Sequence, residues 1–291
     1  MTVFAQLVVS ALGFGGIYAL AALGLTIVFK TSNVVNFAYG AMATVVAMVA
    51  WTVHAGLGLP AAVAWVLAIL GGGALGAVSE AGFLRRVEGA PAIVSIVMTL
   101  GLLLLVEGLT GVIWGFGPKG FPSVLSGAGI AAGPVSIDRN DLFISGLTVV
   151  IALVLYAFYE RTRLGLAVRA VAEDPETASL MGISRRWVLG LSWAAGVAVT
   201  GVAALLAAPS VGLTPTMMDN IAVFAFAAAV LGGLGSLAGA VVGGFAVGVL
   251  ANLIAGYAST NLQLTLVFAL IVMVLYLRPQ GLFGRAAQVR Q

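Results

Sequence analysis

Few residues in this chain could do chemistry, and what surrounds them limits the chemistry open to each. The stretch "RAVAEDPETASLMGISRR", residues 169–186, gathers Arg169, Glu173, Asp174, Glu176, Arg185 and Arg186 in a chain of which only 8% is charged. Such a cluster can form ion pairs, cap helices and dock on a partner. Glu107 is the acidic residue set deepest in an apolar run, with Glu80 and Asp219 nearer the ends of theirs. An ionisable group in that setting can bind an ion, line a wet path or make a structural hydrogen bond. Asn33, Asn36 and Asn252 put amides where water is scarce, and each must find partners. His54 is the single histidine and cysteine is absent. Thiolate chemistry is therefore excluded, a metal centre or Ser-His-Asp arrangement has too few ligands, and no catalytic, cofactor-binding or metal-binding residue is assigned.

The elements that must hold these groups are membrane spans. The chain has 291 residues, 62% of them hydrophobic, and a mean hydropathy of +1.16. Residues 1–29, 31–79, 142–159, 187–218 and 220–277 contain no Asp, Glu, Lys or Arg, and a spanning helix needs about 20 apolar residues. A soluble protein of this composition would lack polar surface. Charges and Gly/Pro clusters predict spans near 4–29, 34–53, 60–83, 91–115, 142–159, 187–208, 220–235, 237–257 and 262–277. The expected fold is thus all-α, a polytopic bundle of eight to nine segments forming one domain over 1–291. The seventh segment is short and ends in "LGGLGSLAG", so 220–257 reads either as two crossings or as a broken, re-entrant pair. The first 29 residues have no basic leader or cleavage signal and are expected to remain as the first span.

With the N-terminus outside, Lys30, Arg85, Arg86, Arg161, Arg163, Arg169, Arg185, Arg186, Arg278, Arg285 and Arg290 fall inside, and only Lys119 and Arg139 outside. The C-terminus and the charged loop 160–186 are then cytoplasmic, and the outer loop 116–141 is rich in Gly and Pro. The net charge of +3 carries no implication of nucleic acid. In the charged loop, Asp174 reads as an N-cap, Pro175 as the first helical residue, Glu176 as an anion favoured by the helix dipole, and Gly182 as the stop. The predicted helix, Pro175 to Met181, sets Thr177, Leu180 and Met181 on one side. A helix so short needs something to pack against. A solvated, positive-inside loop with a capped turn would account for the same residues.

The segment "RTRLGLAVRAVAEDPETASLMGI" (161–183) resembles, nearly residue for residue, the coupling loop of branched-chain amino acid ABC transporter permeases of the LivH type. So do "GGIYALAALGLTIVFKTSNVVNFAYG" (15–40), "LGGLGSLAGAVVGG" (231–244) and "LRPQGLFG" (277–284). The resemblance implies an inner-membrane permease subunit whose short helix docks on an ATPase, with Arg169, Glu173, Asp174, Pro175, Glu176, Thr177, Leu180, Met181 and Gly182 at or near the contact. It implies ATP and Mg on that partner, a second permease subunit (a related chain or a second copy) and a periplasmic or extracellular solute-binding protein. Family members often carry His-Gly-Glu where this chain has Tyr39-Gly40-Ala41. That difference leaves the class intact and the substrate open among aliphatic amino acids, amides and urea. Asn33, Asn36, Tyr39, Glu107 and Asn252 are the candidates for the translocation path.

Gly235, Gly239 and Gly243 form two successive G-x-x-x-G steps, and Gly72 and Gly76 another, a spacing that predicts close helix packing. No Lys-Ser or Lys-Thr follows the glycines, so they do not form a nucleotide loop. Two further classes compete with an importer subunit. An ion-coupled secondary transporter needs intramembrane acids, for which Glu107 is the deepest candidate. A membrane scaffold would explain the glycines and leave the buried polar groups without a role.

Overall fold

Inside a bilayer the backbone has no water to bond, so each apolar run must satisfy its N–H and C=O groups within its own segment. The computed structural model, which describes residues 2–87, 89–123, 125, 129–132, 135–278 and 280–284, is accordingly helical. The long helices are α1 (Thr2–Ser32), α2 (Tyr39–Trp51, continued by a π-turn over Thr52–Gly56), α3 (Ala61–Gly82), α4 (Ala92–Trp114) and α5 (Arg139–Arg161). Two short helices follow, α6 (Arg163–Glu173) and α7 (Pro175–Leu180), and then α8 (Arg185–Val211), α9 (Asp219–Gly232), α10 (Leu237–Tyr257) and α11 (Gln263–Leu277). Among the described residues eight helices are long and apolar enough to cross a membrane, and α9, with 14 residues, is the shorter apolar helix. At 1.5 Å per residue α9 is only about 21 Å long. It turns back on α10 through Gly233–Ser236, so 220–257 is a 14-residue helix followed by a 21-residue one.

Helix α1 is the axis of the bundle: 83% of its apolar window is buried, against 11% for α11 at the rim. Side-chain contacts fix the helix directions. Added Cβ atoms at Gly13 and Gly16 would meet Asp141 and Ile144, so α1 and α5 run parallel. Gly15 meets Phe245 and Gly256 meets Leu7, so α10 runs antiparallel to α1. Lys30 sits 5.3 Å over the Tyr159 ring, joining the far ends of α1 and α5. These directions gather Lys30, Arg85, Arg86, Arg161, Arg163, Arg169, Arg185, Arg186 and Arg278 at one end with α6 and α7, and leave Lys119 and Arg139 at the other. Arg285 and Arg290, counted in the charge bias, lie outside the described residues.

Two local readings need correction, and one loop holds an element the sequence did not show. The second span begins at Tyr39, five residues after the expected 34, because Asn33 turns left-handed (φ 52°) and Asn36 opens a turn by accepting from Ala38 N at 3.0 Å. The 116–141 loop holds a small antiparallel ribbon, Ile130–Ala132 with Val135–Ile137, tied to α1 through Gln6 and Ser136. Gly235 is not a packing residue: it lies in the turn before α10 at φ 94°, with open space where a Cβ would be. Gly239 and Gly243 do lie on the contact face of α10, where a Cβ would strike the Gly232 and Ala228 carbonyls of α9.

Candidate functional site

The segment outside the spans is built by a chain of caps. Thr162 ends α5 and begins α6, its Oγ1 accepting from Gly165 N at 2.9 Å. Gly165 can only be glycine there, because a Cβ would collide with the Phe158 and Tyr159 carbonyls on which α6 folds back. Val168 and Val171 bury one face of α6, while Arg169 pairs with Glu160 at 2.6 Å on the other. Asp174 then caps α7, its Oδ1 accepting from Glu176 N and Thr177 N, both at 3.1 Å. Its Oδ2 takes the Thr177 hydroxyl at 2.7 Å, and Pro175 occupies the first turn, where no N–H is needed. Gly182, at φ 82°, closes the other end, with Ile183 N bonded to Ala178 O at 3.0 Å. Ala178 is the buried anchor of α7. Its far tip is bare: Leu180 is 87% and Met181 78% exposed. Glu173, Glu176 and Thr177 are also exposed around it. Thr177 thus serves the cap, and Leu180 and Met181 form the free apolar tip.

The five path candidates do not converge. Asn33 lines a pocket of about 230 Å³ beside Glu80, Arg85, Arg185 and Trp193, at the α6–α7 end. Asn36 is fully buried and shapes the link into α2, and the Tyr39 hydroxyl donates to Ala222 O, tying α2 to α9. Glu107 on α4 lies close enough to Asp219, at the start of α9, for the two carboxyls to interact. It stands seven residues before the end of α4, about 10 Å, so α9 begins below the level at which its neighbours end. Asn252 donates from Nδ2 to Leu7 O at 2.6 Å, far along α10.

Two features escaped sequence reasoning. Glu80, 2% exposed, meets Arg85 at 2.7 Å just past the end of α3, and a basic residue five positions on was the signal available. Helix α6 is amphipathic, with apolar residues at 164, 168 and 171, a period masked by the charges around it. His54 Nδ1 lies 2.8 Å from Leu59 O in a turn, and among the described residues no cluster could hold a metal ion.

A family model described as a branched-chain amino acid transport system permease component matches residues 7–277. The chain belongs to that family. LivH of Salmonella typhimurium, a high-affinity branched-chain amino acid transport system permease protein, is 30% identical to the permease over 97% of this chain and 96% of its own. BraD of Pseudomonas aeruginosa, of the same description, is 30% identical over the same shares. Among solved structures, PsaBC from Streptococcus pneumoniae in complex with Fab aligns with a TM-score of 0.49 at 14% identity, covering 93% of the permease and 91% of that chain. Family membership makes the permease a transport subunit rather than an enzyme.

Proposed function

We propose that the permease is the membrane-spanning subunit of an ABC importer for branched-chain or other aliphatic amino acids, driven by ATP and Mg bound to a separate ATPase. The observation that carries the reading is α7: a two-turn helix capped at both ends and anchored by Ala178, with Leu180 and Met181 bare beyond the spans. Two exposed apolar side chains on a rigid tip are the anchors a groove-binding contact needs. Helix α7 packs on both α6 and the start of α8, so a push on its tip reaches a long spanning helix directly. Nine cationic residues at this end support placing it in the cytoplasm, with the N-terminus outside. A second permease subunit and an external solute-binding protein complete the assembly. An aliphatic amino acid suits a path poor in charge, because its side chain needs no counter-ion. Replacing Leu180 and Met181 with Asp should abolish co-purification of the ATPase while membrane insertion stays normal. Unchanged co-purification removes α7 as the contact.

A further inference from the structure

A cavity of about 640 Å³ opens between α1, α9, α10 and α11, at the end of the molecule remote from α6 and α7. Its walls are of two kinds. Phe14, Tyr18, Ile221 and Phe224 make an apolar side, and Thr216, Asn220, Asn252 and Gln263 supply hydroxyl and amide groups. No Asp, Glu, Lys or Arg is among the described residues that line it. The Tyr18 and Phe224 rings stack at 5.1 Å with 25° between their planes, and both residues are more than nine-tenths buried. Tyr18 is the lining residue farthest along α1 from the opening and Phe224 the farthest along α9, so the stack forms the floor. Asn252 is held by its bond to Leu7 O, which leaves its Oδ1 as an acceptor.

We infer that this cavity is a solute-binding chamber for a small molecule of no net charge that carries an aliphatic group and a polar head, a zwitterionic aliphatic amino acid being the fitting case. The inference rests on the importer reading and gives it a site. The volume is within the range of about 300–1,000 Å³ typical of small-ligand sites. A ligand with net charge would sit unpaired among neutral walls, where desolvation opposes it. Amides and hydroxyls can serve an ammonium and a carboxylate at once. The apolar wall takes the branched side chain, and the aromatic floor bars passage toward α7 until α1 and α9 separate.

Because the chain has no cysteine, single-thiol labelling can test this on the full-length protein in lipid nanodiscs. Val211→Cys and Leu264→Cys, which line the cavity at exposed positions outside the polar set, are expected to react with a polar maleimide. Leucine at about ten times its Kd should slow both reactions about tenfold, as the occupancy factor 1 + [L]/Kd requires. Lysine and glutamate should not slow them, and Leu57→Cys, exposed at the same end but outside the cavity, should react at one rate throughout. Ala255→Phe, which fills the cavity from α10, should remove the protection while the protein stays monodisperse. Absent labelling, leucine-independent labelling at both positions, or equal protection by the charged amino acids overturns the assignment. ATP-driven leucine uptake by the reconstituted complex is measured in parallel. Uptake without protection sinks the chamber and spares the importer, and protection without uptake does the reverse.

Discussion

Asp174 holds three groups with one carboxylate, the Glu176 and Thr177 amides and the Thr177 hydroxyl, so its loss is concentrated on α7. Removing such a cap costs about 1 kcal/mol, and a six-residue helix has no reserve to absorb it. Asp174→Ala should therefore weaken ATPase co-purification several-fold and leave the thermal unfolding of the spans unchanged, whereas Asp174→Asn, which keeps an acceptor, should retain most of it. A different carboxylate carries global stability. The Glu80 side chain is 3% exposed and its charge is met by Arg85. Removing one partner of a buried pair costs about 3–5 kcal/mol, while replacing both can be nearly neutral. Arg85→Met is thus expected to lower the melting temperature in detergent strongly, and Glu80→Leu with Arg85→Met to recover most of the loss. Equal melting of the single variant and the parent would show that the pair adds nothing.

At the scale of elements, equal spacing in the sequence conceals unequal environments. A Cβ at Gly244 would strike the backbone of Ala19 on α1, whereas at Gly108 of α4 nothing lies within 4 Å. Gly244→Ala should destabilise the bundle, as overpacked sites do by about 1–3 kcal/mol. Gly108→Ala should be neutral or gain a few tenths through helix propensity, and the two variants can be compared by thermal unfolding in one detergent. The same contrast explains what was legible beforehand. Hydropathy fixed eight long helices within a few residues, because a bilayer demands uninterrupted apolar runs. The α7 caps were legible because capping is local: Asp174, Pro175 and Gly182 lie within eight positions. Gly235 was misread because the G-x-x-x-G spacing extends past the start of α10 at Leu237, and hydropathy carries no mark of that start. Tyr39 with Ala222, Glu107 with Asp219 and Tyr18 with Phe224 could not be paired from sequence, since their partners lie more than a hundred residues away in helices apolar on every side.

The whole molecule separates its chemistry by end. Nearly all described cationic residues and the exposed α7 tip stand at one end, and the uncharged cavity opens at the other, with α1 running between them as the buried axis. On the proposed function, force enters at the α7 end and solute at the cavity end, and α1, packed against α8, α9 and α10, runs between the two. Among the described residues, the Glu107–Asp219 pair is the feature that suits a transporter driven by an ion gradient, because two adjoining carboxyls can share a bound proton. The two energy sources give opposite results in one experiment. In vesicles holding the complete complex, an ATP-driven importer keeps its leucine uptake when an uncoupler collapses the proton gradient at constant ATP on the α7 side, and Glu107→Gln with Asp219→Asn leaves the ATP requirement in place. A proton-coupled carrier loses uptake at once with the uncoupler and is indifferent to ATP. The proposed importer predicts the first result. Uptake that follows the proton gradient would transfer the driving role from α7 to the carboxyl pair.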